Sequence, residues 1–108
     1  MKKTVTLLFI FAIAVVVGGT VGTAKGQGNQ GETLFKKHCS LCHPDGGNVV
    51  NPQKTLHKKD REANGVKKAS DIVSKMRNPG PGMTKFDEKT IPDKDAKEIA
   101  DYVLKTFK

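Results

Sequence analysis

Cys39-Ser40-Leu41-Cys42-His43 decides how this 108-residue chain is read. Cys-x-x-Cys-His is the pattern of covalent haem attachment, and each of its fixed residues has its own task. Two thiols three positions apart lie on one helical turn, from which both reach the vinyl groups of a porphyrin, and the adjoining imidazole then lies under the iron as proximal ligand. One motif implies one haem.

Other chemistries for the same residues find less support. A disulfide-exchange site uses Cys-x-x-Cys without the histidine and sits in a thioredoxin-like βαβ frame, of which the chain shows no sign. A structural zinc site needs four ligands, but the chain has only two cysteines and three histidines, with no second cysteine pair and no His-x₃₋₅-His spacing.

Outward from the motif, the N-terminus reads as a secretory signal: Met1-Lys2-Lys3, an apolar run from Val5 to Val17, then small residues through Ala24. Cleavage after Ala24 is expected. The apolar run is shorter than the roughly 20 residues of a membrane-spanning helix and gives way to glycines. No cysteine near the cut offers a lipid-anchor site. Residues 1–24 are therefore expected to be a signal peptide, 25–30 a flexible N-terminus and 31–108 the folded domain. A mature chain that is soluble and periplasmic, without membrane insertion, agrees with the motif, because haem is attached outside the bacterial cytoplasmic membrane.

The 84 residues after Ala24 suffice for one small domain. Only about 29% of them are apolar, against roughly 45% or more in typical globular chains. Such a chain closes a core poorly unless a buried porphyrin supplies apolar surface. Charge is unbalanced: 19 Lys+Arg less Lys2 and Lys3, against 11 Asp+Glu, leaves +6 on the mature chain. The densest basic stretch carries Lys54, Lys58, Lys59, Arg61, Lys67 and Lys68. It reads either as a solvated helical face or as a surface that steers the protein toward acidic redox partners. Basic residues without interleaved aromatics or a base-reading motif argue against nucleic-acid binding.

Periodicity predicts helices only. Leu34, Phe35, Cys39 and Leu41 suggest a short helix from Gly31 to Cys42, ended by the turn Pro44-Asp45-Gly46-Gly47-Asn48. A brief helical turn is expected near Leu56. Ala69, Ile72, Val73 and Met76 mark a helix that stops before Asn78-Pro79-Gly80-Pro81-Gly82. The last helix is the clearest: Ala96, Ile99, Ala100, Val103, Leu104 and Phe107 follow an i, i+3, i+4, i+7, i+8, i+11 stripe after Pro92 and Asp93. The fold class is all-α, with three to five helices around one haem.

A histidine-bound iron leaves a sixth position, whose occupant separates an electron carrier from a gas sensor or haem enzyme. The candidates are His38, His57, Met76 and Met83, with lysines as conditional competitors. His38 precedes the motif and points away from the distal side, and His57 lies in a basic, polar stretch. Met76 falls on the apolar stripe of its helix, where methionine ordinarily fills core. Met83 follows a stiff Pro/Gly run outside any helix, which suits a thioether held at fixed height, so it is preferred over Met76.

Taken together, the chain resembles the class I cytochromes c, in particular cytochrome c6 and its bacterial relatives. The likeness runs from Gly31-Glu32-Thr33-Leu34-Phe35 through the haem motif, Gly46-Gly47-Asn48-Val49-Val50, Lys54-Thr55-Leu56 and Met83-Thr84-Lys85-Phe86 to Ile99-Ala100-Asp101-Tyr102-Val103-Leu104. Thr84 departs from it, standing where photosynthetic members usually carry proline. The resemblance implies Cys39 and Cys42 as thioether anchors, His43 and Met83 as axial ligands, and a crossing of first and last helices that brings Gly31 and Phe35 near Tyr102. It implies a monomeric single-electron carrier with one haem c and no enzymatic activity. The competing readings are a haem-based gas sensor or enzyme with a displaceable sixth ligand, and a docking factor acting through its basic face.

Overall fold

The computed structural model describes residues 27–108 together with Gly18 and Gly19, so the expected signal peptide lies almost wholly outside the described residues. Among the described residues the chain forms four α-helices and no strand: α1 (Gln27–His38), α2 (Lys58–Ala63), α3 (Ala69–Arg77) and α4 (Asp93–Thr106). A single 3-10 turn spans Pro44–Gly46. None of these helices is long and apolar enough to cross a membrane.

Helix α4 organises the rest. Its stripe buries Ala96, Ile99, Ala100 and Val103, and Phe107 just beyond its end is buried with them. Phe35 from α1, Ile72 and Met76 from α3, and Ile91 from the approach to α4 complete the apolar cluster. Asp93 and Asp95 sit in the first turn, where acidic groups favour the positive end of the helix dipole.

Helix α1 crosses α4 at Gly31. A methyl group there would meet the Glu98 carbonyl oxygen and come within 2.9 Å of Tyr102 Cβ, so only glycine permits this approach. One turn later the Phe35 ring packs 5.3 Å from the Tyr102 ring and 5.4 Å from that of Phe107, centroid to centroid. The crossing expected from the resemblance is thus present.

Two boundaries differ from the sequence reading. Helix α1 begins at Gln27 rather than Gly31, so residues 27–30 belong to the first helix. This segment is wholly polar and has no apolar periodicity to betray it; its continuation is visible in the bond from Thr33 Oγ1 to the Asn29 carbonyl, 2.8 Å. The helix also ends at His38, before the haem motif, which continues as hydrogen-bonded turns. Near Leu56 the chain is turn and bend, and helical structure starts only at Lys58.

Helix α2 is short and stops on a Schellman motif. The Val66 N–H bonds the Arg61 carbonyl at 2.8 Å, the Gly65 N–H bonds that of Glu62 at 3.1 Å, and Gly65 has a φ of 74°. Arg61, read from sequence as part of a basic face, is buried instead. Its Nε donates to the Leu56 carbonyl at 2.6 Å and an Nη to the Phe107 carbonyl at 3.3 Å, tying α2 to the chain's C-terminal end.

Asp71 caps α3 by accepting the N–H groups of Lys67 and Lys68 at 2.9 and 3.0 Å. These bonds, that of Lys67 foremost, hold its carboxyl below the usual value. Its contribution to stability is therefore complete above an ordinary carboxylate pKa of about 4 and fades as pH falls through the lower folded value. Asp71→Asn is expected to melt below the parent at neutral pH, with the gap narrowing under about pH 4, as thermal melts across pH will show.

Candidate cofactor site

The site grows out of the end of α1. The Phe35 carbonyl accepts the N–H groups of both Cys39 (2.8 Å) and Ser40 (3.0 Å), which closes the helix. The Cys39 carbonyl then accepts those of Cys42 (3.2 Å) and His43 (2.9 Å). Cys39, Cys42 and His43 consequently share one turn. Cys39 is half-buried against the core, Cys42 is exposed and His43 is half-buried.

Beyond His43 the chain reverses sharply. Asp45 (φ 52°) and Gly46 (φ 79°) both take left-handed conformations, which aspartate tolerates better than most residues and glycine without cost. Gly46 is buried against the Phe107 ring, whose Cγ would lie 2.7 Å from a methyl group at this position. The reversal places the Gly47 carbonyl 2.7 Å from His43 Nδ1. A carbonyl can only accept, so Nδ1 carries the proton and the lone pair of Nε2 is left for a metal. This is the usual way a ligating imidazole is oriented.

The next segment folds back on the motif. The Val49 N–H bonds the Cys42 carbonyl at 3.0 Å, and the Leu56 N–H bonds that of Gly46 at 2.7 Å. Asn48 Oδ1 accepts the N–H groups of Val50 and Asn51 at 3.0 and 2.9 Å, while its Nδ2 donates to the Lys54 carbonyl at 2.9 Å. Val50 meets Gly82, where a methyl group would stand 2.7 Å from Val50 Cγ1 and φ is 89°. The loop bearing Met83 therefore abuts the loop that leaves His43.

The two methionines stand differently. Met76 is 3% exposed in the core, as its place on the apolar stripe predicts, whereas Met83 is half-buried on the Pro/Gly loop. His38 has its ring 6.1 Å from that of Phe86, and the exposed His57 lies edge-on to Phe107 at 5.8 Å.

A planar apolar cofactor fits this arrangement. Leu41, Val49 and Val50, all within or just after the haem motif, are 89%, 61% and 57% exposed, and among the described residues they are the large apolar side chains left uncovered by protein. Burial, followed by the neighbouring Cys42, pushes the Cys39 thiol up to about 11. Disulfide-exchange sites depend on a lowered thiol pKa, so this environment is unlike theirs. A closed zinc site is also unlike it: among the described residues no three His, Cys, Asp or Glu side chains form a metal-holding group.

Known proteins resemble this chain. The family model described as cytochrome C oxidase, cbb3-type, subunit III matches residues 26–103. Cytochrome c6 of Rippkaea orientalis is 35% identical over 104 residues, which cover 96% of this chain and 93% of the relative. Cytochrome c6 of Porphyra purpurea is 34% identical over a span covering 96% and 94%. The chain belongs to the class I cytochrome c family and is c6-like. Among solved cytochromes, the outer membrane cytochrome OmcF of Geobacter sulfurreducens is 50% identical, with a TM-score of 0.71, over 72% of this chain and 99% of its own. Cytochrome c6C of a Synechococcus species is 27% identical, with a TM-score of 0.67, over 72% and 94%. The cofactor is one covalently bound c-type haem, and this small monohaem cytochrome acts in electron transfer.

Sequence reasoning missed the partner of His43, because a backbone carbonyl leaves no side-chain signature. The only hint was the Pro-Asp-Gly-Gly turn that delivers it.

If the reversal at Gly46 is what presents the imidazole, Gly46→Ala will destabilise the cytochrome by more than the ~1 kcal/mol expected for a left-handed alanine. Gly65→Ala has a similar φ but open space around it and should cost only about 1 kcal/mol. Paired denaturant titrations of the two variants provide the comparison.

Proposed function

We propose that this cytochrome is a soluble periplasmic single-electron shuttle. Residues 1–24 direct export and are removed, and the domain that follows carries the haem. Cys39 and Cys42 form the thioether bonds, His43 Nε2 is the proximal ligand and the Met83 thioether is the distal one. The observation that carries this reading is the single turn holding both thiols and an imidazole whose Nδ1 is tied to the Gly47 carbonyl.

The choice of Met83 rests on burial and position. Met76 belongs to the α3 core, while Met83 lies on a loop in contact, through Gly82, with the segment leaving His43. The bound haem supplies the redox couple. A soft Met83 thioether together with the His43 imidazole would favour the ferrous state and raise the potential. Held by both side chains through either oxidation state, the haem would suit electron transfer better than substrate chemistry, and no enzymatic activity is assigned.

Electrons are taken to leave by the edge near Cys39 and Cys42, where Leu41 and Cys42 are exposed. Lys54, Lys58, Lys59, Lys67 and Lys68 are exposed and are the cations proposed to meet acidic partners, without Arg61. Association through such a face slows as salt is added. An extracytoplasmic location agrees with the likeness to OmcF, an outer membrane cytochrome.

Met83→Ala is expected to abolish the far-red sulfur-to-iron charge-transfer band of the oxidised protein, and Met76→Ala to leave it in place. Absorption spectra of the two variants decide it, the reverse pattern assigning Met76 as ligand.

A further inference from the structure

The Met83 loop is held at a neck. Where it leaves α3, the Met76 carbonyl accepts the Phe86 N–H at 2.9 Å, and Arg77 donates from Nη1 to the Phe86 carbonyl at 3.0 Å. Both polar groups of the Phe86 backbone are thus fastened to the last turn of α3. The other arm of the Arg77 guanidinium, Nη2, bonds Asp93 Oδ1 at 2.7 Å, at the first residue of α4.

Inside the neck the loop has little bonding of its own. Its one backbone bond, from the Met83 N–H to the Gly80 carbonyl, is long at 3.4 Å. Pro79 and Pro81 lack N–H groups and contribute stiffness instead. The Arg77 side chain is 17% exposed against 73% for Asp93, so the arm to the Phe86 carbonyl is the better shielded and the ion pair the weaker.

We propose that Arg77 is a positioning residue for the axial thioether: by clamping the Phe86 carbonyl to the end of α3 it fixes where the returning chain holds Met83 and keeps other ligands off the iron. This rests on the reading of Met83 as distal ligand. A lysine could reach one of the two acceptors but not fork to both, so Arg77→Lys retains part of the function and Arg77→Ala none.

The test is imidazole binding to the oxidised holoprotein by stopped flow, with the far-red band recorded alongside. Arg77→Ala is expected to bind imidazole about tenfold faster than the parent, on the strength of one charged hydrogen bond lost. Arg77→Lys should fall between them, and Asp93→Asn, which cuts only the exposed arm, should stay within twofold. Ile99→Val, a core change on α4 at a residue that hydrogen-bonds neither Arg77 nor Phe86, should lower the melting temperature without raising the rate.

Parent-like imidazole rates in both Arg77 variants would overturn the proposal, as would a rise in Ile99→Val equal to that in Arg77→Ala. If Arg77→Ala does not accumulate as folded holoprotein, Arg77→Lys against Ile99→Val decides alone. Met83→Ala separates the two readings. Persistence of the band in that variant defeats the axial assignment itself, whereas loss of the band there with unchanged Arg77 variants defeats only the clamp.

Discussion

The bond between His43 Nδ1 and the Gly47 carbonyl is the constraint on which this cytochrome turns. It fixes one tautomer and one ring orientation, and it exists only because the chain reverses within four residues. That reversal needs two left-handed backbones, at Asp45 and Gly46, and a wall to press against, which the Phe107 ring provides. Phe107 is in turn held by the Phe35 and Tyr102 rings, the edge of His57 and the Arg61 guanidinium. The α1/α4 crossing and the C-terminal end of the chain thus act as the foundation of the His43 imidazole, the proposed ligand.

The two sides of the site are built by different means. The loop after His43 is short, heavily hydrogen-bonded and backed by the Phe107 ring. The loop carrying Met83, the proposed second ligand, is stiff, sparsely bonded, closed at its neck and in touch with the other loop where Gly82 meets Val50. Leu41 in the motif and Val49 and Val50 on the loop that follows are apolar side chains that protein does not cover, in a chain poor in apolar residues. The same deficit that leaves the polypeptide with a small core is met by the apolar surface of the porphyrin, so cofactor binding and folding belong to one energetic problem.

Much of this was legible in the sequence because its signals are side chains at fixed spacing. Cys39, Cys42 and His43 stand in a five-residue motif, α3 ends where the Pro/Gly run begins, and the α4 stripe shows the 3.6 period with Pro92 and Asp93 before it. Helix α2 was harder to see because it has no apolar stripe and depends on Arg61 and a Schellman stop. Composition counts Arg61 as a surface cation, but only three-dimensional packing shows it reaching carbonyls far along the chain. The polar start of α1 and the Gly47 and Phe86 carbonyls were hidden for a related reason: backbone groups carry structure without marking the sequence.

The central claim is that one haem is bonded through both motif thiols. Intact mass spectrometry of the protein purified from a host competent in haem attachment tests it most directly. The account predicts a red protein whose mass exceeds that of the processed polypeptide by one haem. A colourless protein with the mass of the polypeptide alone would contradict it.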